Sequence, residues 1–214
     1  HKLKTQLNKV ERVSKVGRKS RENTFRIAIV GYTNAGKSSL FNLLCKENIY
    51  VEDKLFATLD THTRKLYLSN DAPVQVIISD TVGFIDRLPH TLIASFKSTL
   101  SEVVEADLLI HLIDSSDKNI EEKIIKVENT IKEIGASEIK SLSVCNKIDR
   151  IDEIQKDKIK ILYNNPIFIS AKNNINIENL RKIILNTILE LNKIEYERDD
   201  FNMNNNMSNI TNNN

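Results

Sequence analysis

Eight residues near the start of the chain, GYTNAGKS (31–38), have the types and spacing of a loop that holds phosphate. Gly31 and Gly36 allow backbone angles that turn several N–H groups toward one anion, so Gly31, Tyr32, Thr33, Asn34, Ala35 and Gly36 would wrap it. A helix starting there adds its positive end. Lys37 is placed to bridge a β- and a γ-phosphate, and the Ser38 hydroxyl to ligate Mg²⁺. Glycine is scarce, at positions 17, 31, 36, 83 and 135 only, and three of those five fall in nucleotide-type motifs. It stands where backbone must approach a ligand.

Two more segments extend that chemistry. In DTVG (80–83), Asp80 would hold the metal through water and the Gly83 N–H would meet the γ-phosphate, with Thr81 and Val82 between them. In FATLD (56–60), a threonine could give its hydroxyl to Mg²⁺ and its N–H to the γ-phosphate. Thr58, Thr61 and Thr63 all qualify by spacing.

The base is read elsewhere. In NKID (146–149), the Asp149 carboxylate can accept from the N1–H and 2-amino groups of guanine, which adenine lacks. Asn146 would fix the loop, the Lys147 stem would cover the base, and Ile148 lies between Lys147 and Asp149. SAK (170–172) would add the Ala171 N–H to guanine O6, flanked by Ser170 and Lys172. The four motifs in this order point to GTP, and Asp149 argues against an ATPase.

Strands and helices must bring these loops together. FRIAIV (25–30), LLIHLI (108–113), SLSVC (141–145) and PIFIS (166–170) read as buried strands. TRKLYL (63–68) and VQVIIS (74–79), split by SNDAP, read as an antiparallel hairpin. Helices are expected over 38–47, 91–105, 119–134 and 177–194, the third carrying Ile120, Ile124, Val127, Ile131 and Ile134 and stopped by Gly135. Such alternation builds a mainly parallel sheet with helices on both faces and one antiparallel edge.

The 214 residues suffice for one sizeable domain, and no apolar run approaches the length of a membrane span. No signal peptide is visible, and the opening His reads as the start of an excerpt. Cys45 and Cys145 lie far apart without metal spacing, which excludes a disulfide scaffold or structural zinc and suits a reducing, cytoplasmic setting. Both are expected to be inert thiols facing the core. His62, His90 and His111 read as surface or switch-loop residues, and Arg87, beside Pro89, as a solvated charge or a partner contact from the second switch. Residues 1–26 carry nine Lys/Arg against two Glu, with Leu3, Leu7 and Val10 on one helical stripe. Such a helix would either attract a polyanion or lie solvated beside another domain. Eight of the last thirteen residues are Asn, which reads as a disordered tail.

Taken together, GYTNAGKSSLFN, LFATLDTHTR and above all DTVGFIDRLPHTLIASFKSTL (80–100) resemble the translation-factor-related GTPases, and most closely the HflX family. The resemblance covers about residues 1–195. It implies a Ras-like α/β P-loop GTPase domain with a six-stranded, mainly parallel sheet over 25–195. Residues 1–24, with Arg12, Arg18 and Arg21, would be the end of a helical linker, and 196–214 a tail. Phe56, Ala57, Thr58, Leu59 and Asp60 match the first switch, with Thr58 as the Mg²⁺ ligand beside Ser38 and Asp80. Lys37, Thr58 and Gly83 would act on the γ-phosphate. Asn34 looks like the K⁺ ligand of cation-dependent relatives, against a purely structural reading.

The family also implies GTP hydrolysis, binding of the 50S subunit, whose ribosomal RNA the basic helix would meet, and splitting of 70S ribosomes; a monomer is expected. Two residues qualify this. The family usually has Pro where this chain has Thr61, which leaves the first switch freer. Phe84 follows Gly83 where many related GTPases place a water-orienting Gln, so hydrolysis should be slow without a partner or a cation. Ribosome assembly or RNA modification on the same framework, or a binding switch with negligible hydrolysis, are the alternatives.

Overall fold

The computed structural model describes residues 24–45, 62–68, 74–81, 83, 97–163 and 165–192. In chain order the elements are β1 (Arg26–Val30), α1 (Lys37–Cys45), β2 (His62–Tyr67), β3 (Gln75–Asp80), α2 (Lys97–Val104), β4 (Leu108–Asp114), α3 (Ile120–Glu133) and β5 (Lys140–Asn146). A short 3₁₀ turn (Ile148–Arg150), α4 (Glu153–Leu162), β6 (Ile167–Phe168) and α5 (177–192) follow.

The strands form one six-stranded sheet in the order β2-β3-β1-β4-β5-β6. Every pairing is parallel except β2 with β3, so the expected hairpin is the antiparallel edge. Side chains of β1 alternate between two cores, as the pleat requires. Ile27 and Ile29 pack with Leu40, Phe41 and Leu44 of α1 and Leu180, Ile184 and Ile188 of α5. Ala28 and Val30 pack with Val103 of α2 and Val127 and Ile131 of α3 on the other face. The expected period of α3 holds, with Ile120, Ile124, Val127 and Ile131 buried.

Several expectations change. The last strand is shorter than PIFIS. The strand is Ile167–Phe168, the Ile169 N–H just beyond it donates to the Cys145 carbonyl at 2.8 Å, and Ser170 makes an isolated bridge to Ile175. Pro166 has no N–H to extend the pairing. Helix α4 has no counterpart among the expected helices. It is nucleated by Asp152, whose carboxylate accepts from the Gln155 N–H at 2.8 Å. Cys145 is buried but Cys45 only half so.

His111 is not a surface residue. It lies in β4 at 4% exposure, edge-on to Tyr163. Burial pushes its imidazole down to about 4. The unfolded chain therefore binds a proton below about pH 6.5 that the folded chain resists, so its share of stability is present at neutral pH and lost as pH falls toward 4. Urea unfolding is expected to show about 2 kcal/mol lost between about pH 7 and pH 5, most of it absent in His111→Phe. Equal pH dependence in the two proteins would contradict this.

The segments 1–23, 46–61, 84–96 and 193–214 lie outside the described residues. They include the basic helix and the tail, most of the second-switch stretch, Arg87 and His90, and the first-switch residues 56–60 with Thr61.

Candidate functional site: a phosphate loop and a base loop joined at the sheet's C-terminal edge

Strand register sets the site. Ile29 pairs with Asp80, Val30 with His111, and Asp114 with Asn146. The ends of β1, β3, β4 and β5 therefore open on one side of the sheet, where parallel α/β sheets bind ligands. Gly31–Gly36 leaves β1 there and runs into α1.

That loop is tightly built. A Cβ on Gly31 would lie 2.3 Å from the Leu112 carbonyl oxygen, so β4 leaves no room for a side chain. Gly36 has φ +95 and faces the Asn146 amide. Asn34 also takes the left-handed region, at φ 60. Ala35 and Thr33 are both buried. Tyr32 turns its ring away to receive Lys123 Nζ, 4.6 Å from the centroid. Ser38 is half-buried in the first turn of α1.

Lys37 is the cation of the loop. Its Nζ donates to the Gly31 and Tyr32 carbonyls at 3.2 and 3.1 Å. Burial pushes the ammonium down to about 8, and the Asp80 carboxylate offsets only part of that. Asp80 sits at the end of β3, 1% exposed. Gly83 lies against the loop, since a Cβ there would come within 2.8 Å of Thr33 Cγ2 and 2.9 Å of Lys37 Nζ. Thr81 anchors this turn. Its buried hydroxyl donates to the Ile29 carbonyl at 2.6 Å, which pins the DTVG turn to β1. Val82 and the first-switch residues Phe56, Ala57, Thr58, Leu59 and Asp60 fall outside the described residues.

Asn146 joins the phosphate loop to the base loop. Its Nδ2 donates to the Ala35 carbonyl and its Oδ1 accepts from the Ala171 N–H, both at 2.9 Å. A guanine O6 would share the Ala171 donor with Asn146. Lys147 has φ 65, and its Nζ donates to the Asn34 carbonyl at 2.7 Å. Ile148 begins the 3₁₀ turn that presents Asp149. The Asp149 carboxylate is exposed and accepts from the fully buried Ser170 hydroxyl. That bond, ahead of its other causes, holds the carboxyl below the usual range. Ser170 Oγ in turn accepts from the Asn173 N–H at 3.1 Å, and Lys172 is exposed beside it.

A family model described as "50S ribosome-binding GTPase" matches residues 26–147. The curated GTPase HflX of Caldanaerobacter subterraneus is 49% identical over 158 residues, 74% of this chain and 35% of that protein. The chain belongs to the HflX family of GTPases. The HflX of Escherichia coli is 42% identical over 155 residues, 72% of this chain and 36% of that protein. Among solved structures, a GTP-binding protein from Sulfolobus solfataricus in complex with GDP is 31% identical, with a TM-score of 0.63 over 89% of this chain and 57% of that one. The six-stranded sheet is thus that of a P-loop GTPase domain. The chain spans little more than a third of the length of several of these HflX relatives.

The donor chemistry in this HflX-family domain suits a hard cation. Ser38 offers a hydroxyl and Asp80 a buried carboxylate, oxygen donors of the kind Mg²⁺ takes alongside phosphate oxygens. Among the described residues there is no cluster of His, Cys, Asp and Glu that would hold a metal unaided. No described helix is long and apolar enough to cross a membrane.

The depressed Lys37 ammonium has a measurable consequence. A phosphate beside it restores the charged form, so nucleotide binding above about pH 8 takes up protons. Calorimetry of GDP binding at about pH 8.5, in buffers of different ionisation enthalpy, should show uptake of a large fraction of a proton. Lys37→Arg should remove it, because a guanidinium stays charged. Equal uptake in both proteins would assign the proton elsewhere.

Proposed function

We propose that this domain binds GTP with Mg²⁺, hydrolyses it to GDP and phosphate, and binds the large ribosomal subunit, as the description of the matching family model names. The observation that carries the nucleotide reading is the Asn146 bridge, which locks a phosphate loop and a carboxylate-bearing base loop into one site. Residues 25–195 form the GTP-binding domain in this reading.

The residues then divide the chemistry. Backbone N–H groups of 31–36 and the start of α1 hold the phosphates. Lys37 neutralises charge building on the β- and γ-oxygens as the bond from the γ-phosphorus to its bridging oxygen breaks and water attacks in line. Gly83 brings its N–H to the γ-phosphate, and loss of that phosphate releases the segment beyond it. Asp149 accepts from guanine N1–H and the 2-amino group, held in orientation by Ser170. Ser38, Asp80 and Thr58 would hold Mg²⁺, which would supply charge neutralisation at the phosphates. Asn34 is the residue offered to K⁺, and equal rates in KCl and NaCl would remove that assignment.

Phe84 cannot orient water by hydrogen bonding, so the domain should turn over slowly alone. The test is phosphate release with 50S subunits or 70S ribosomes titrated in, in KCl. Strong stimulation is expected. GTP binding without stimulation would reduce the reading to a nucleotide-dependent switch, or place ribosome contact in the parts of the HflX relatives this chain does not span. Failure to bind guanine nucleotide would overturn it.

A further inference from the structure

We propose that Asp114, at the C-terminal end of β4, is a positioning residue for the nucleotide base and acts through Lys147. The inference rests on the guanine-nucleotide reading, which gives the base to Asn146–Asp149 and 170–172 and leaves Asp114 no part. Parallel pairing of β4 with β5 sets Asp114 opposite Asn146, so its carboxylate arrives beside the next residue, Lys147.

The two carboxylate oxygens do different things. Oδ1 accepts from the Ser116 N–H at 3.0 Å and from the Ser116 hydroxyl at 2.7 Å, which fixes the carboxylate in the β4–α3 turn. Oδ2 accepts from Lys147 Nζ at 2.7 Å. The two side chains are only 17% and 14% exposed, so water screens this pair less than a surface pair. Lys147 needs such an anchor. Its φ of 65 is unfavourable for a residue with a Cβ, and its stem is four flexible carbons. With one end on the Asn34 carbonyl of the phosphate loop and Asp114 on the other side, the ammonium is held from two directions. The stem is then stretched across the place where the base lies. Without the carboxylate, the ammonium keeps one neutral acceptor and the stem is free to leave the base.

A cover of this kind touches the flat face of any purine and is blind to the 2-amino group that Asp149 reads. The two roles therefore separate in a measurement. Asp114→Asn keeps an oxygen for Ser116 but turns an amide donor toward the ammonium. Dissociation constants for GDP and IDP should both rise about tenfold, with their ratio unchanged. Lys147→Ala should do about the same, and the double variant should be no weaker than Lys147→Ala alone. Ser116→Ala, a milder change, should give a smaller loss that disappears in the Lys147→Ala background. Additive losses, a changed GDP-to-IDP ratio, or unchanged affinity in both the Asp114 and Ser116 variants would each overturn the proposal. If the unaltered protein binds neither nucleotide, the guanine reading itself has failed; if it binds both and the cycle is additive, only this inference has.

Discussion

Asp149→Asn will exchange guanine for xanthine. The Asp149 carboxylate is exposed toward the ligand side, oriented by the Ser170 hydroxyl and held below the usual carboxylate range by that bond, so it is ionised at neutral pH. An Asn keeps an oxygen for Ser170 and turns an amide donor toward the base. Guanine's two donors then face a donor and both hydrogen bonds are lost; xanthine, with an oxygen at position 2, meets it with an acceptor. Sites built on such hydrogen bonds discriminate by several orders of magnitude, so GDP affinity should fall about a thousandfold while XDP overtakes it. Competition of GDP and XDP against a fluorescent nucleotide reads this directly. An unchanged ranking would mean that Asp149 does not face the base.

The second large effect is at Gly36. A Cβ there would stand 2.4 Å from Asn146 Nδ2, on a residue whose φ is +95. Gly36→Ala must therefore push away the side chain that holds the Ala35 carbonyl and the Ala171 N–H together. Backbone strain of about 1–3 kcal/mol adds to the cost of unpairing buried groups. Nucleotide affinity should fall by about three orders of magnitude, and the melting temperature by several degrees. Gly135→Ala is the control. It too has positive φ, +79, but a Cβ there meets nothing within 4 Å. It should cost about 1 kcal/mol of stability and leave GDP affinity alone. If both variants bind GDP normally, the Asn146 bridge does not hold the site together.

The contacts behind these two predictions differ in how far the amino-acid order reveals them. Spacing was enough for the phosphate loop, the Asp80–Gly83 turn, NKID and SAK, because each motif is local and its chemistry follows from residue type. It was also enough for α3 and the β2–β3 hairpin, where a 3.6-residue period and a turn-flanked pair of runs leave little choice. It failed for α4, where Ile159 is the buried residue while Ile154, Ile161 and Leu162 are exposed, so no apolar period marks the helix.

His111 and Asp114 show the deeper limit. A histidine in LLIHLI reads as a polar interruption, yet β4 lies between β1 and β5 in the middle of the sheet and buries six of its seven residues. Asp114 and Lys147 are 33 residues apart and belong to no common motif; parallel pairing alone makes them neighbours. Thr81 and the Ala171 N–H carry motif positions, but the close approach of β1 and of Asn146 claims their hydrogen bonds. Residue types and local periods therefore decided which groups could do the chemistry. Strand order and register decided which of them meet, because hydrogen-bond partners across a sheet are chosen by three-dimensional neighbours that no local pattern encodes.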